Sequence, residues 1–488
     1  MKNSTTFKRL QKVVMASTLL SIAASGVTNL NAADWLMLQG SQPEFVAPKG
    51  VSVPYRSKKP KLWGFIQTNY KSDGGTVAVS NQRLNPAGVP VGPPGGRTLT
   101  PFVKLNPDLK DTSGFNVFRA RIALRGMADN NNLINYFFMT EFANNAINNL
   151  VGHRNVATYF SDASITLKHI PYAKLRVGMF KTPGSEEGLQ AVFVSPYIEF
   201  TSMSNQQLLE RKVLNVKKAR PWEQGGRSAT LNYISTSIDE PIGAFRDTGA
   251  QIFDTIDVAD DLSLTYAYMY GNGNGISMKS SDARATHYGY LALENHFTHN
   301  RGYYHQSFKM FTWIQDGKRP LDVARTDATT GAVTTTTEDF KRLRYGVGMT
   351  YYRKGLRFEA EYMAAQGMIF NGAKDVNTDS VGEDWQFAYA VGNENKADGG
   401  YVNLQYEIMP KKFEFFVRYD VMDRLSNDKV LRRKFKTTTL GCSYRFRGAT
   451  RLDFNYLIKD IKAPGNAAAR KVLENVGNRF AVQFTAAF

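Results

Sequence analysis

The sequence predicts an all-β protein: a closed, transmembrane antiparallel β-barrel of about sixteen strands, with a long loop folded into its lumen. Three observations lead there. The first is the end of the chain. Phe480, Val482, Phe484, Ala486 and Phe488 hold every second position, with Ala481, Gln483, Thr485 and Ala487 between them. A period of two with aromatic groups on one side is a strand with one greasy and one wetter face. The second is an absence: nothing after residue 33 offers the run of about twenty apolar residues that a membrane helix needs. The third is composition. Aromatics make up 12% of the chain, with 24 Tyr and 31 Phe, yet its mean hydropathy is negative. A helical membrane protein is not that polar; a barrel is, because half of each strand faces water.

The elements follow in order. Lys2, Lys8, Arg9 and Lys12 form a basic leader, and no acidic residue precedes Asp34. Val13 to Val27 is apolar but too short to span, and Asn31, Ala32 and Ala33 suit cleavage, so residues 1–33 are expected to be a secretory signal peptide. Residues 34–60 show no sustained periodicity and read as an N-terminal periplasmic segment, with the barrel over 61–488. Leu62–Tyr70 is the first strand, followed by a Pro- and Gly-rich loop. Phe115–Gly126 is the second and the sharpest. Strands are then expected around Tyr136–Phe142 and Ala163–Leu167, at Ala173–Lys181, Arg246–Val258, Leu262–Gly271, Ala285–His296 and Tyr304–Gln315. They continue at Arg342–Tyr352, Leu356–Gln366, Gly399–Ile408, Lys412–Met422, Thr438–Arg447, Thr450–Lys459 and Asn478–Phe488. A weaker candidate, Asp384–Val391, would make seventeen; bacterial barrels have even strand numbers, which favours sixteen. Val323–Phe340, with its run of threonines, reads as an external loop.

Parity assigns the faces. In the second strand Phe118, Ala120, Ile122 and Leu124 alternate with Arg119, Arg121 and Arg125. An arginine on the lipid face near the midplane costs roughly 2–4 kcal/mol, so these three should point into the lumen. The same argument turns Tyr136, Phe138 and Phe142 outward and Asn135 and Glu141 inward. It also turns Ala163, Ile165 and Leu167 outward and Ser164, Thr166 and Lys168 inward. Arg176, Lys309, Arg344, Arg357, Arg418 and Arg445 join the inward basic set, opposed by acids such as Glu141, Glu359, Glu361, Glu414 and Asp420.

Composition removes several classes of function. The single cysteine, Cys442, leaves no internal disulfide and no thiolate metal cluster. No Cys-x-x-Cys-His is present, so covalent haem is excluded. The formal charge is +18, and +14 once the four cations of the leader are gone. Such a balance suits lipid head-groups, nucleic acid or an anionic solute, and where the charges sit must decide among them. The Gly271–Gly275 stretch is not followed by a helical pattern, so it reads as a turn rather than a phosphate loop. His296, His299 and His305 lack a carboxylate or cysteine pattern, so no metal site is expected. No nucleophile–histidine pair stands out, and neither catalytic residues nor a cofactor nor a nucleic-acid partner is expected.

Several segments together resemble the phosphate-selective porins O and P of Gram-negative outer membranes. They are FRARIALRG (Phe118–Gly126), LRVGMFKTPGSEEG (Leu175–Gly188), RDTGAQI (Arg246–Ile252) and YAYMYGNGNG (Tyr266–Gly275), then GGYVNLQYEI, FFVRYD and TTLGCSYRF in the same order. The closing Phe488 is similarly like the terminal aromatic that serves outer-membrane barrels as an assembly signal. The resemblance implies a homotrimer of sixteen-stranded barrels in outer-membrane lipid, passing small inorganic anions past basic lumen side chains. Arg119, Arg121, Arg125, Lys168, Arg176, Arg344 and Arg418 are the candidate anion-binding residues. Guanidinium groups suit phosphate because they stay charged and offer paired donors. The long insertion Gly184–Phe245 would supply the constriction, with Arg211, Lys212, Lys217, Lys218 and Arg220 as its basic residues. A passive channel for phosphate or related oxyanions is the leading expectation. A general diffusion porin with mild anion preference, or a structural sheath around an exported partner, are the alternatives.

Overall fold

The computed structural model describes residues 60–74, 113–143 except 130 and 132, 159–209, 245–276, 284–298, 305–326, 333–373, 387–447 except 430, 450–465 and 476–488, with short pieces between them. The leader, nearly all of the N-terminal segment and the candidates Arg211, Lys212, Lys217, Lys218 and Arg220 lie outside the described residues.

Sixteen antiparallel strands close into one barrel. They are β1 (Lys61–Asp73), β2 (Gly114–Met127), β3 (Ile134–Glu141), β4 (Tyr159–Leu167), β5 (Lys174–Lys181), β6 (Arg246–Ala259), β7 (Leu262–Gly271) and β8 (Thr286–His296). Then come β9 (Ser307–Thr326), β10 (Val333–Arg353), β11 (Leu356–Gln366), β12 (Lys396–Met409), β13 (Phe413–Arg424), β14 (Arg433–Arg447), β15 (Thr450–Lys462) and β16 (Arg479–Ala487). Each strand pairs with its neighbours in sequence, and β16 closes on β1 with Phe65 opposite Ala487 and Asp73 opposite Arg479. Beyond β16, Phe488 still pairs: its N–H donates to the Gly64 carbonyl at 3.0 Å and its carbonyl accepts from the Gly64 N–H at 2.9 Å. Closure leaves no unpaired edge, which is what a spanning sheet requires. Among the described residues no helix is long and apolar enough to cross a membrane.

The outer face follows the sequence parity closely. Ile122, Phe138, Phe142, Ile165, Phe480, Phe484 and Phe488 are all exposed on it, while Arg119, Arg121, Asn135, Glu141, Ser164 and Thr166 are buried inside. Phe118 departs from it. The β1–β2 register shifts between Gln67 and Thr68, opposite which Phe118 is the extra residue. A bulge of this kind resets the alternation, so Phe115 and Val117 take the outward positions. The Phe118 ring instead lies 4.3 Å from the Lys71 ammonium and 4.1 Å from the Arg119 guanidinium.

Two segments differ from the sequence reading. Asp384–Val391 does contain a strand, Phe387–Ala390, but it belongs to a small separate sheet with Tyr233–Thr236 and Ile369–Ala373, not to the barrel. Val323–Phe340, expected as a loop, is largely strand: β9 and β10 remain paired as far as Thr326 opposite Val333. Thr334–Thr337 are β-branched and favour extended backbone. At 20 and 21 residues the two strands far exceed the 9–11 that cross a bilayer, so this hairpin projects beyond it.

The connections at one end are short, such as 260–261, 354–355 and 410–412, and those at the other end are long. The longest of these, between β5 and β6, turns into the barrel over residues 182–209. Leu189, Met203 and Leu208 from this segment pack with inward Tyr290, Phe311, Trp313, Met363, Tyr401 and Phe435. The lumen therefore has an apolar core on the β8–β14 side, where the inner loop rests.

Candidate channel constriction

The inner loop begins directly after β5. Ser185 caps a single helical turn, Glu186–Leu189, by accepting from the Gly188 N–H at 3.0 Å. Two glutamates in that first turn, Glu186 and Glu187, then reach opposite parts of the wall. Glu186 pairs with Lys309 on β9 at 2.8 Å, and Glu187 pairs with Arg418 on β13 at 3.0 Å. Further along, Arg451 on β15 donates to the Val194 carbonyl at 2.7 Å and also to that of Ser195. Asn455 donates to the Pro196 carbonyl at 3.1 Å, and the Ser202 hydroxyl to Asp420 at 2.7 Å. Glu199 is the hub on the far side. Lys71 of β1 lies 2.7 Å from it and Arg479 of β16 lies 3.0 Å from it, while Arg479 also holds Asp73 at 2.7 Å. At the last described turn, Arg344 donates to the carbonyls of Gln207 and Gly367, each at 3.0 Å, and of Met368 at 2.6 Å. The loop is thus tied to β9, β10, β13, β15, β16 and β1, and the expected inward fold is observed as far as Leu209.

Electrostatics inside the loop are set by these contacts. Burial raises the Glu199 carboxyl, but the Lys71 and Arg479 charges more than offset it, and the group sits below the usual glutamate value. At Glu187 burial prevails over Arg418 and the Thr201 hydrogen bonds, and the carboxyl is raised.

The facing wall, β2 to β6, carries a different arrangement. Arg121 pairs with Glu141 at 2.6 Å, Arg246 with Asp162 at 2.9 Å, and Arg119 donates to the Gln67 side chain at 2.8 Å. Lys181 donates to the Gln190 carbonyl at 2.7 Å and lies in the fields of Arg246, Arg121 and Arg119, with Asp162 opposing them. Four cations thus share two strand carboxylates, with Glu199 acting on Arg119 from the loop. Lower down, Arg176 reaches the Thr166 hydroxyl at 3.4 Å and stands 4.3 Å over the Phe253 ring. Arg125 faces the Trp63 ring at 5.8 Å. Lys168 follows the end of β4 at the short-turn mouth, where burial and the neighbouring Lys174 ammonium push it down to about 8.

The seven candidates from the sequence are therefore not one set. Arg119 and Arg121 come together with Lys181 and Arg246 and keep 5% and 6% of their surface exposed. Arg344 and Arg418 keep 1% each, with their donors directed to loop carbonyls and Glu187, so they clamp the loop. Lys181, Arg246, Arg451 and Arg479 were missed. Lys181 and Arg246 pair opposite each other at the strand ends. Their neighbours Phe180 and Asp247 are buried as well, so no alternation of burial marks them in the sequence. Arg479 alternates with Phe480 and was legible. The histidines were set aside for want of a carboxylate, yet the structure brings Glu294 to His296 and His305; His299 lies outside the described residues.

A family model described as phosphate-selective porin O and P matches residues 101–488. The chain belongs to this family. No curated protein sequence matches it. Similar solved structures include the outer membrane channel DcaP of Acinetobacter baumannii, 11% identical, covering 90% of this chain and 99% of that one with a TM-score of 0.47. The anion-selective porin from Comamonas acidovorans is 13% identical, covers 88% and 99%, and has a TM-score of 0.44. Salmonella typhi OmpF, in complex with daunomycin, is 13% identical, covers 90% and 100%, and has a TM-score of 0.47. Family membership and the closed barrel make this porin an outer-membrane channel. In that membrane the short turns of a barrel face the periplasm and the long loops face outward.

Proposed function

We propose that this porin passes anions in preference to cations, with phosphate and related oxyanions as the favoured solutes. The carrying observation is the group of Arg119, Arg121, Lys181 and Arg246 around Glu141 and Asp162, on the wall that faces the inner loop. An excess of fixed cations beside a constriction raises the local anion concentration, because screening is poor where the pore is narrow. Each guanidinium carries five N–H donors, so one carboxylate partner leaves it able to hold a passing oxyanion as well. Arg125, Arg176 and Lys168 continue the same wall toward the short-turn mouth. Arg211, Lys212, Lys217, Lys218 and Arg220 follow the last described residue of the inner loop and would add their charge to the same constriction.

A second reading, a general diffusion porin with mild anion preference, is favoured by the carboxylates already paired with Arg121 and Arg246. A sheath around an exported partner needs an open bore, and the loop across the lumen argues against it. Residues 1–33 act as the export signal in this proposal, residues 34–60 stay in the periplasm, and three copies assemble as a homotrimer. Planar-bilayer recording tests the proposal. In a KCl gradient the reversal potential should report chloride selectivity, and added phosphate should reduce the chloride current. Anion selectivity without phosphate competition would favour the general porin. Cation selectivity would end both readings.

A further inference from the structure

We propose that Glu294, His296 and His305 form a binding site for a divalent transition-metal ion of the zinc class at the short-turn mouth of the barrel. Glu294 and His296 are two residues apart on β8, so strand alternation puts both on the inward face, and both are buried. His305 comes back from the following turn to meet them. His296 Nδ1 lies 2.9 Å from His305 Nε2, and that nitrogen lies 3.5 Å from Glu294 Oε1. One donor atom from each of the three residues falls within 4.8 Å of the others.

Two imidazole nitrogens and a carboxylate oxygen are the donor set that zinc-class ions take, with bonds of about 2.0–2.2 Å. Tetrahedral ligands at that bond length stand about 3.3 Å apart. Two edges of the triangle, 2.9 and 3.5 Å, bracket this value and the third is within 4.8 Å, so side-chain adjustment would complete one tetrahedral face. The fourth position would be left to water. The outer contacts also suit an ion. His296 Nε2 lies 2.8 Å from the Ser263 hydroxyl, which can accept a hydrogen bond from Nε2–H and so leave the Nδ1 lone pair for the metal. Without an ion, two ring nitrogens at 2.9 Å need one proton between them. Binding would shift that proton to the other ring nitrogen of His305, which then offers Nε2 to the ion as a neutral imidazole, and would replace the shared hydrogen bond with two metal–nitrogen bonds. Lys309, opposite Glu294 across β8 and β9, is the opposing charge, and its ammonium is also held by Glu186.

The test uses the full mature protein, without a histidine tag, refolded in detergent and titrated with Zn²⁺ alone by calorimetry and metal analysis. One Zn²⁺ per chain is expected in the wild type. His305→Ala should abolish stoichiometric binding, and because His305 lies in the turn outside the strands, heat-modifiable mobility should remain. Ser263→Ala should weaken binding roughly tenfold, as loss of an outer-sphere partner does. Failure of the folded wild type to bind one equivalent would overturn the proposal. So would binding that is equal in wild type and His305→Ala, or in wild type and a Glu294→Gln variant that still folds.

Discussion

Replacing Glu199 with glutamine should loosen the inner loop without opening the barrel. Glu199 is 2% exposed and is shared by Lys71 at 2.7 Å and Arg479 at 3.0 Å. Removing one partner of a buried ion pair costs roughly 3–5 kcal/mol. Arg479 keeps Asp73, and Lys71 keeps the face of Phe118, so the lower end applies, about 3 kcal/mol. At 1.4 kcal/mol per tenfold, the ratio of docked to released loop should fall roughly a hundredfold. Single-channel recording at neutral pH should then show larger mean conductance and frequent substates, while heat-modifiable mobility confirms an intact barrel. Acid should act through the same carboxyl. A depressed carboxylate contributes docking stability that is present above its free value, about 4.3, and lost as pH falls through its lower docked value. Wild-type channels should therefore become noisy only below about pH 4, and Glu199→Gln channels should lack that transition. Conductance and noise identical to wild type at neutral pH would refute the loop-clamp reasoning.

Other expectations follow from single positions. Lys168 loses its charge around pH 8, so anion preference measured by reversal potential should decline as pH rises through that value, and Lys168→Gln should flatten the decline. Gly178 has φ +127°, and a Cβ there would meet the Ala163 carbonyl oxygen at 2.2 Å. Gly178→Ala should thus lower stability to urea by roughly 1–3 kcal/mol or more, read from the unfolding midpoint. Deleting Phe488 removes both hydrogen bonds to Gly64 at the closing seam. Export should persist while the heat-modifiable fraction drops.

All sixteen barrel strands were legible because lipid enforces a strict outward period on every one of them. Phe138, Ile165 and Phe484 could be assigned a face with no knowledge of their neighbours. The inner face obeys no such rule. Its residues answer to the inner loop, so Trp313 and Phe311 turn inward to meet Leu189 and Met203, and Arg344 turns to backbone carbonyls. The bulge at Phe118 resets the alternation locally, which misplaced one ring, while Lys181 and Arg246 sit beside the equally buried Phe180 and Asp247, so no alternation marked them. The β9–β10 extension was masked by polar threonines, whose β-branching mattered more than their polarity.

The proposed division of labour around the lumen, selection by β2–β6 and clamping by β1, β9, β10, β13, β15 and β16, is tested most directly by one comparison. Reversal potentials should be measured in the same KCl gradient for wild type, for Arg121→Gln with Arg246→Gln, and for Arg451→Gln. The double variant should shift toward cations at nearly unchanged conductance. Arg451→Gln, which releases the carbonyls of Val194 and Ser195, should keep the wild-type sign while its conductance rises. A reversal potential unmoved in the double variant but shifted in Arg451→Gln would contradict this assignment of the two walls.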